Sequence, residues 1–162
     1  MRKLAAGFLA AAAVVVVVGS AAAAGPDLAK LLDEAGLEYE TRDGGRLRVI
    51  YEFDDGRSQL VSLQPQGEFE GVDVVEIYAP VMRLREGTVP AVLGRRLLEE
   101  NGRKKLTYFG VEEVEGTLMV FCYHNTPTAG LDAKTLAALL LGVATFADEM
   151  EKEQLGVGSD EF

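Results

Sequence analysis

The sequence predicts an α+β fold, a mainly antiparallel five-stranded sheet packed with helices in the order α-β-β-β-α-β-β-α. Three observations predict it. Three stretches place apolar residues at helical spacing, five others are rich in alternating apolar, aromatic and β-branched residues, and hairpin turns join neighbouring strands. A chain of 162 residues with 48% hydrophobic content has enough apolar mass for one domain with one substantial core. It carries no internal repeat and no linker.

The elements follow in order. DLAKLLDEAG, from Asp27, sets Leu28, Leu31, Leu32 and Ala35 on one helical face, with Asp27 as N-cap and Gly36 at the C-terminal turn. RLRVIYEF then alternates, so that Leu47, Val49, Tyr51 and Phe53 share a face, and DDGR at 54–57 turns the chain into QLVSLQPQ. Pro65 cannot donate to a ladder and is expected at a strand end or a sheet edge. VDVVEIYAPVM is the third strand. A second helix follows, with Val89, Val92, Leu93 and Leu97 on one face, Thr88 as its cap, and Asn101-Gly102 as its stop. KLTYFGVEE and TLMVFCYH form a second hairpin around Glu115-Gly116. A last helix opens at Asp132, with Leu131 stapled on Leu136, and continues to about Gln154.

The N-terminus has the pattern of an export signal. Arg2 and Lys3 precede the apolar stretch Leu4 to Val18, and small residues lead to an expected cleavage after Ala24. Residues 1–24 are thus expected to be a signal peptide, 25–155 the folded domain and 156–162 a flexible tail. The alternative is an uncleaved anchor, since Leu4 to Ala24 has no charge and a bilayer core needs only about 20 residues. The chain is then exported, periplasmic or secreted, and touches a membrane only if the segment stays attached. Removing Arg2 and Lys3 leaves 14 basic against 26 acidic residues, a formal charge of −12. Such a surface disfavours nucleic acid and anionic lipid. A single cysteine makes no internal disulfide, so the core alone holds the fold in an oxidising compartment.

The element order, together with NGRKKLTYFGVEEVEGTLMVFCYH and the long helix after it, resembles the type III secretion chaperone-like fold and, within it, the YbjN-like family. The resemblance spans Pro26 to Gln154. It implies a small protein-binding or regulatory module, often dimeric, with no catalytic signature. Those secretion chaperones work in the cytoplasm, whereas this chain reads as exported.

FCYHNTP holds the only cysteine and the only histidine of the chain. Two apart on a strand, Cys122 and His124 share a face with side-chain origins about 7 Å apart, close enough for a metal or a proton to be shared. Zinc wants three or four ligands, and no further Cys or His is present. A nucleophilic thiol needs a base held by a third group, and only Asn125 and Thr126 lie nearby. The reading is therefore a core cysteine and a strand-end histidine near the surface, with no catalytic, metal or cofactor-binding residues assigned. The alternative is an envelope hydrolase or thiol enzyme using this pair. Asp54, Asp55, Glu112, Glu113 and Glu115 belong to turns or flank them, and no glycine spacing makes a phosphate cradle.

Two features point to binding surfaces. Arg83, Arg85, Arg95, Arg96, Arg103, Lys104 and Lys105 place seven basic residues within positions 83–105 of an acidic chain. They form either a solvated face aided by a helix C-terminus or a docking patch for an acidic partner. LAALLLGVATFA, Leu136 to Ala147, is apolar almost all round, more than one sheet covers. The candidate partner-binding residues are Leu139, Leu140, Leu141, Phe146, Arg95, Arg96, Arg103, Lys104 and Lys105, for a protein partner or for self-association. The expected function is that of an exported, non-enzymatic protein-binding or regulatory module.

Overall fold

The computed structural model describes residues 26–84, 87–156 and Phe162. The expected export segment at 1–24, Arg85, and positions 157–161 of the expected tail lie outside them. Asp27 accepts from the Lys30 amide at 3.3 Å and starts α1 (Leu28–Ala35), which Gly36 ends in the left-handed region at φ 70°. After α1 the chain adds a strand that periodicity does not announce. This is β1 (Glu40–Thr41), two residues long and followed by a 3-10 turn at Asp43–Gly45. The sheet therefore has six strands where five were expected.

Next come β2 (Leu47–Glu52), β3 (Ser58–Phe69) and β4 (Val72–Leu84), then α2 (Ala91–Arg103), β5 (Tyr108–Val114), β6 (Thr117–Pro127) and α3 (Ala133–Leu155). The strand order across the sheet is β1-β2-β3-β4-β6-β5, with every neighbouring pair antiparallel. The β3–β4 and β5–β6 hairpins close through Glu70-Gly71 and Glu115-Gly116. Both central residues of each turn have positive φ, 52° and 81° in one and 50° and 80° in the other. That geometry matches the twist of the strands, and glycine is the residue that adopts it at no steric cost.

Pro65 sits inside β3 but at its free edge, as expected, since β2 reaches only as far as Leu63, and the pairing with β4 slips between Pro65 and Gly67. The missing N–H thus falls at a bulge with no strand on its outer side. Two local expectations about α2 are corrected. Thr88 does not cap α2, which starts after Pro90 with no side-chain cap. Asn101 does not stop α2 either. The helix runs on to Arg103, and the Asn101 amide accepts from the Phe109 N–H at 2.6 Å and donates to the Phe109 carbonyl at 3.0 Å. It pairs with the edge strand as another backbone would, fixing α2 to β5.

All three helices pack on one face of the sheet. Leu47, Val49, Val61, Leu63, Val75, Ile77, Val120 and Cys122 meet Leu32 of α1, Leu93 and Leu97 of α2, and Leu136, Leu140, Val143 and Ala147 of α3. Asp132 caps α3 by accepting from the Thr135 amide at 2.7 Å, and Leu131 and Leu136 both join the core. A buried ion network ties α3 to the strands. Arg57, at the entry to β3, donates to Asp148 at 2.6 Å and to Glu151 at 2.8 Å, and all three side chains are at least nine-tenths buried. Lys152 extends the network by joining Asp148 at 2.8 Å to Asp55 at 2.7 Å, and these two carboxylates raise the pKa of its ammonium. Asp55, read as a turn residue, thus also anchors a helix.

Candidate functional site: the open face of the sheet

Alternation along the strands gives the sheet a second face to which no helix among the described residues contributes. Across it, Arg48 stands beside Ser62, Ser62 beside Tyr78, Tyr78 beside Tyr123, and Tyr123 beside Tyr108. The next row carries Pro80, Phe121 and Gly110. A bulge between Pro80 and Met82 resets the register and puts Arg83 opposite Met119. The Gln59 side chain supports this bulge from the core face, donating to the Pro80 carbonyl at 2.8 Å.

The result is a second apolar cluster, separate from the main core. Met119, Phe121 and Tyr123 are buried, with Tyr78 and Phe162 packed against them. Tyr108 stacks on Tyr123 with ring centres 5.4 Å apart and planes 19° apart, while Tyr78 meets Phe121 edge-on at 6.0 Å. Such pairs contribute about 0.5–1.5 kcal/mol beyond burial. Gly110 makes the stacking possible, because a Cβ there would come within 3.0 Å of the Tyr123 ring. Burial and the neighbouring Glu112 carboxylate raise the Tyr123 phenol far above its ordinary range.

Around the rings runs a groove of about 380 Å³ with a mixed polar rim. Arg46 stands over the Tyr78 ring at 5.9 Å and donates to Gln64 at 3.2 Å, and Gln64 donates to Glu76 at 3.4 Å. Glu76 also lines a second hollow of about 430 Å³, bounded by Val74, Asn125, Pro127 and the β3–β4 hairpin, whose Phe69 is 73% exposed. The two hollows lie on the same face of the sheet and share Glu76 as a wall. The groove's open shape and aromatic floor suit an extended chain better than a small molecule, which pockets usually enclose.

The residues named from sequence fall elsewhere, on the helical side. Arg96 binds Glu153 of α3 through two contacts at 2.6 and 2.7 Å and Glu100 of its own helix at 2.6 Å. Arg103 pairs with Glu100 at 2.9 Å. Lys104 reaches Glu149 at 3.5 Å and lies over the Phe146 ring at the same distance. Arg96 and Lys104 of the basic run therefore meet the acidic end of this chain's own last helix, and Arg95 and Lys105 remain exposed. Arg83 is split off to the open face. Of the α3 candidates, Leu140 is fully buried in the core and unavailable to a partner, Leu139 and Phe146 are half-buried against it, and Leu141 is 48% exposed. The sheet and α1 together cover most of the apolar girth that one sheet could not, leaving Leu141 on the outer side.

Cys122 and His124 do share a face, but it is the covered one. His124 is buried, which corrects its expected place near the surface, and its Nδ1 is hydrogen-bonded to the Leu106 carbonyl. A carbonyl only accepts, so Nδ1 carries the proton. Burial pushes the Cys122 thiol up to about 12, against weaker lowering by Lys104 and a hydrogen bond with Thr107. The thiolate is the reactive form, and a rise of about three units cuts its share at mildly alkaline pH about a thousandfold. Iodoacetamide is therefore expected to leave Cys122 of the native protein unmodified, while labelling it fully in concentrated guanidinium. Rapid labelling of the native protein, read by intact mass, would contradict this burial. Among the described residues, no group of three or more His, Cys, Asp or Glu side chains is placed to hold a metal ion.

With this geometry in place, the fold can be compared with known ones. No family model matches the sequence, and no curated protein matches it. Solved structures do. E. coli YbjN, described as a candidate transcription regulator, is 11% identical and aligns over 78% of this chain and 88% of its own, with a TM-score of 0.51. The Yersinia pestis type III secretion chaperone SycH, solved in complex with a stable fragment of YscM2, is 16% identical over 76% of this chain and 95% of its own, with a TM-score of 0.49. The chain thus shares the fold of YbjN, which its element order led one to expect.

Proposed function

We propose that this chain is a non-enzymatic protein-binding module that docks an extended segment of another protein along the open face of its sheet. The observation that carries this reading is the aromatic floor of Tyr78, Tyr108, Phe121 and Tyr123, which no helix among the described residues covers. Aromatic side chains dominate protein interfaces because each offers a large apolar area at little entropic cost. The fold it shares with YbjN is compatible with this role. The charged start Arg2-Lys3 and the uncharged stretch after it support an exported module, whose partners would be envelope or secreted proteins.

The test uses the mature chain as bait in an envelope extract, beside a variant with Tyr78→Ser and Tyr108→Ser. Tyr108 is exposed and Tyr78 half-buried, so both changes spare the main core. A partner captured by the unsubstituted chain is expected to bind the variant at least tenfold more weakly, a loss of about 1.4 kcal/mol, with an unchanged circular dichroism spectrum. Equal capture by both would move the docking surface off this face.

A further inference from the structure

Phe162 shows what kind of side chain the groove accepts. Its ring packs against the Met119–Phe121–Tyr123 cluster, and the Arg83 guanidinium stands over it at 4.7 Å. In sequence, this phenylalanine directly follows Asp160 and Glu161. The groove offers the matching charge in a chain that is acidic overall, since Arg46 and Arg48 line it and Arg83 stands over Phe162 at its edge. The Arg48 Nε is buried with no hydrogen-bond partner among the described residues, a donor that a carboxylate would satisfy. Of the two carboxylates in the groove, Glu76 already accepts from Gln64.

Resting on the docking reading above, we propose that the open-face groove selects partner segments in which an aromatic residue follows acidic ones, and that Phe162 of this chain occupies the aromatic subsite until such a segment displaces it. The aromatic ring supplies the apolar contact and the Arg83 cation–π interaction. The acidic residues before it supply charge-assisted hydrogen bonds to the arginines. Selectivity then comes from needing both.

The probe is the peptide Gly-Val-Gly-Ser-Asp-Glu-Phe, titrated by calorimetry into the full chain with and without Phe162→Ala. The peptide is expected to bind the Phe162→Ala chain at least tenfold more tightly than the unsubstituted chain, where the subsite is filled. A peptide with alanine in place of its phenylalanine should lose that binding. One with Asn-Gln in place of Asp-Glu should bind several-fold more weakly, and added salt should weaken the parent peptide in the same direction. Equal affinity for both chains, no binding to either, or indifference to the aromatic residue would overturn the proposal. If the peptide fails while the Tyr78→Ser, Tyr108→Ser variant still loses its captured partner, the acidic-aromatic preference is wrong and the docking face stands. If that variant keeps its partner, both readings fall.

Discussion

Replacing Arg57 with alanine is expected to cost about 3–5 kcal/mol of folding stability, because it takes the guanidinium from two buried carboxylates, Glu151 and Asp148, and leaves only Lys152 beside Asp148. The cost comes less from the lost attraction than from leaving desolvated carboxylate charge without the guanidinium that compensated it. Arg57→Lys keeps the charge but not the planar fork that spans both acids, and should recover only part of the loss. A variant with Arg57→Leu, Asp148→Leu and Glu151→Leu removes the buried charges together and should be close to the unsubstituted protein or above it. Urea unfolding at constant m-value measures all three. A loss below about 1 kcal/mol for Arg57→Ala would class the pair with exposed ion pairs, which contribute no more than that, and would contradict its burial.

The network matters beyond stability, because Arg57 enters β3 and the outer residues of β3 border the groove. Leu60, Ser62 and Gln64 stand on the open face, while Gln59, Val61 and Leu63 stand on the covered one. Fastening the start of β3 to α3 fixes which residues face out. A loosened β3 would blur the row from Arg48 through Ser62 and Tyr78 to Tyr123, on which the groove depends.

Much of this fold was legible in the sequence, and the reasons are local. Asp27, Gly36, Asp132 and the Glu115-Gly116 turn act on the residues beside them, so their chemistry can be read without the rest of the chain. The two-residue strand β1 is too short to show any period, and Asn101 looks like a helix stop until Phe109 arrives from another element to meet it. The open face was hidden for a different reason. In TLMVFCYH both sides of the strand are apolar, and attention falls on Cys122 and His124, the side that is chemically distinctive and turns out to be buried. The signal for the other side was the interleaved Met119, Phe121 and Tyr123. It gains meaning only when Tyr78 and Tyr108, 45 and 15 positions before Tyr123, are brought level with it. Arg57 was invisible for the same reason, since its partners lie 91 and 94 positions away.

Leu140 and Leu141, adjacent in the most apolar stretch of the chain, are expected to respond oppositely to the same substitution. Leu140 is fully buried among core residues, and Leu141 is about half exposed on the outer side of α3. Leu140→Glu places an unpaired charge in the core, a cost of several kcal/mol that is comparable to the whole stability of a domain, so this variant should fail to fold. Leu140→Ala gives the measurable form of the same effect, about 2–5 kcal/mol from lost transfer energy and the cavity left behind. Leu141→Glu should shift stability by only about 0.5 kcal/mol, as surface substitutions do. Circular dichroism with urea unfolding separates the three, and light scattering on Leu141→Glu tests whether the exposed side of α3 also holds two copies together. A folded Leu140→Glu protein, or an unfolded Leu141→Glu one, would mean that α3 is turned about its axis relative to the sheet. The helix would then present a different stripe to the core.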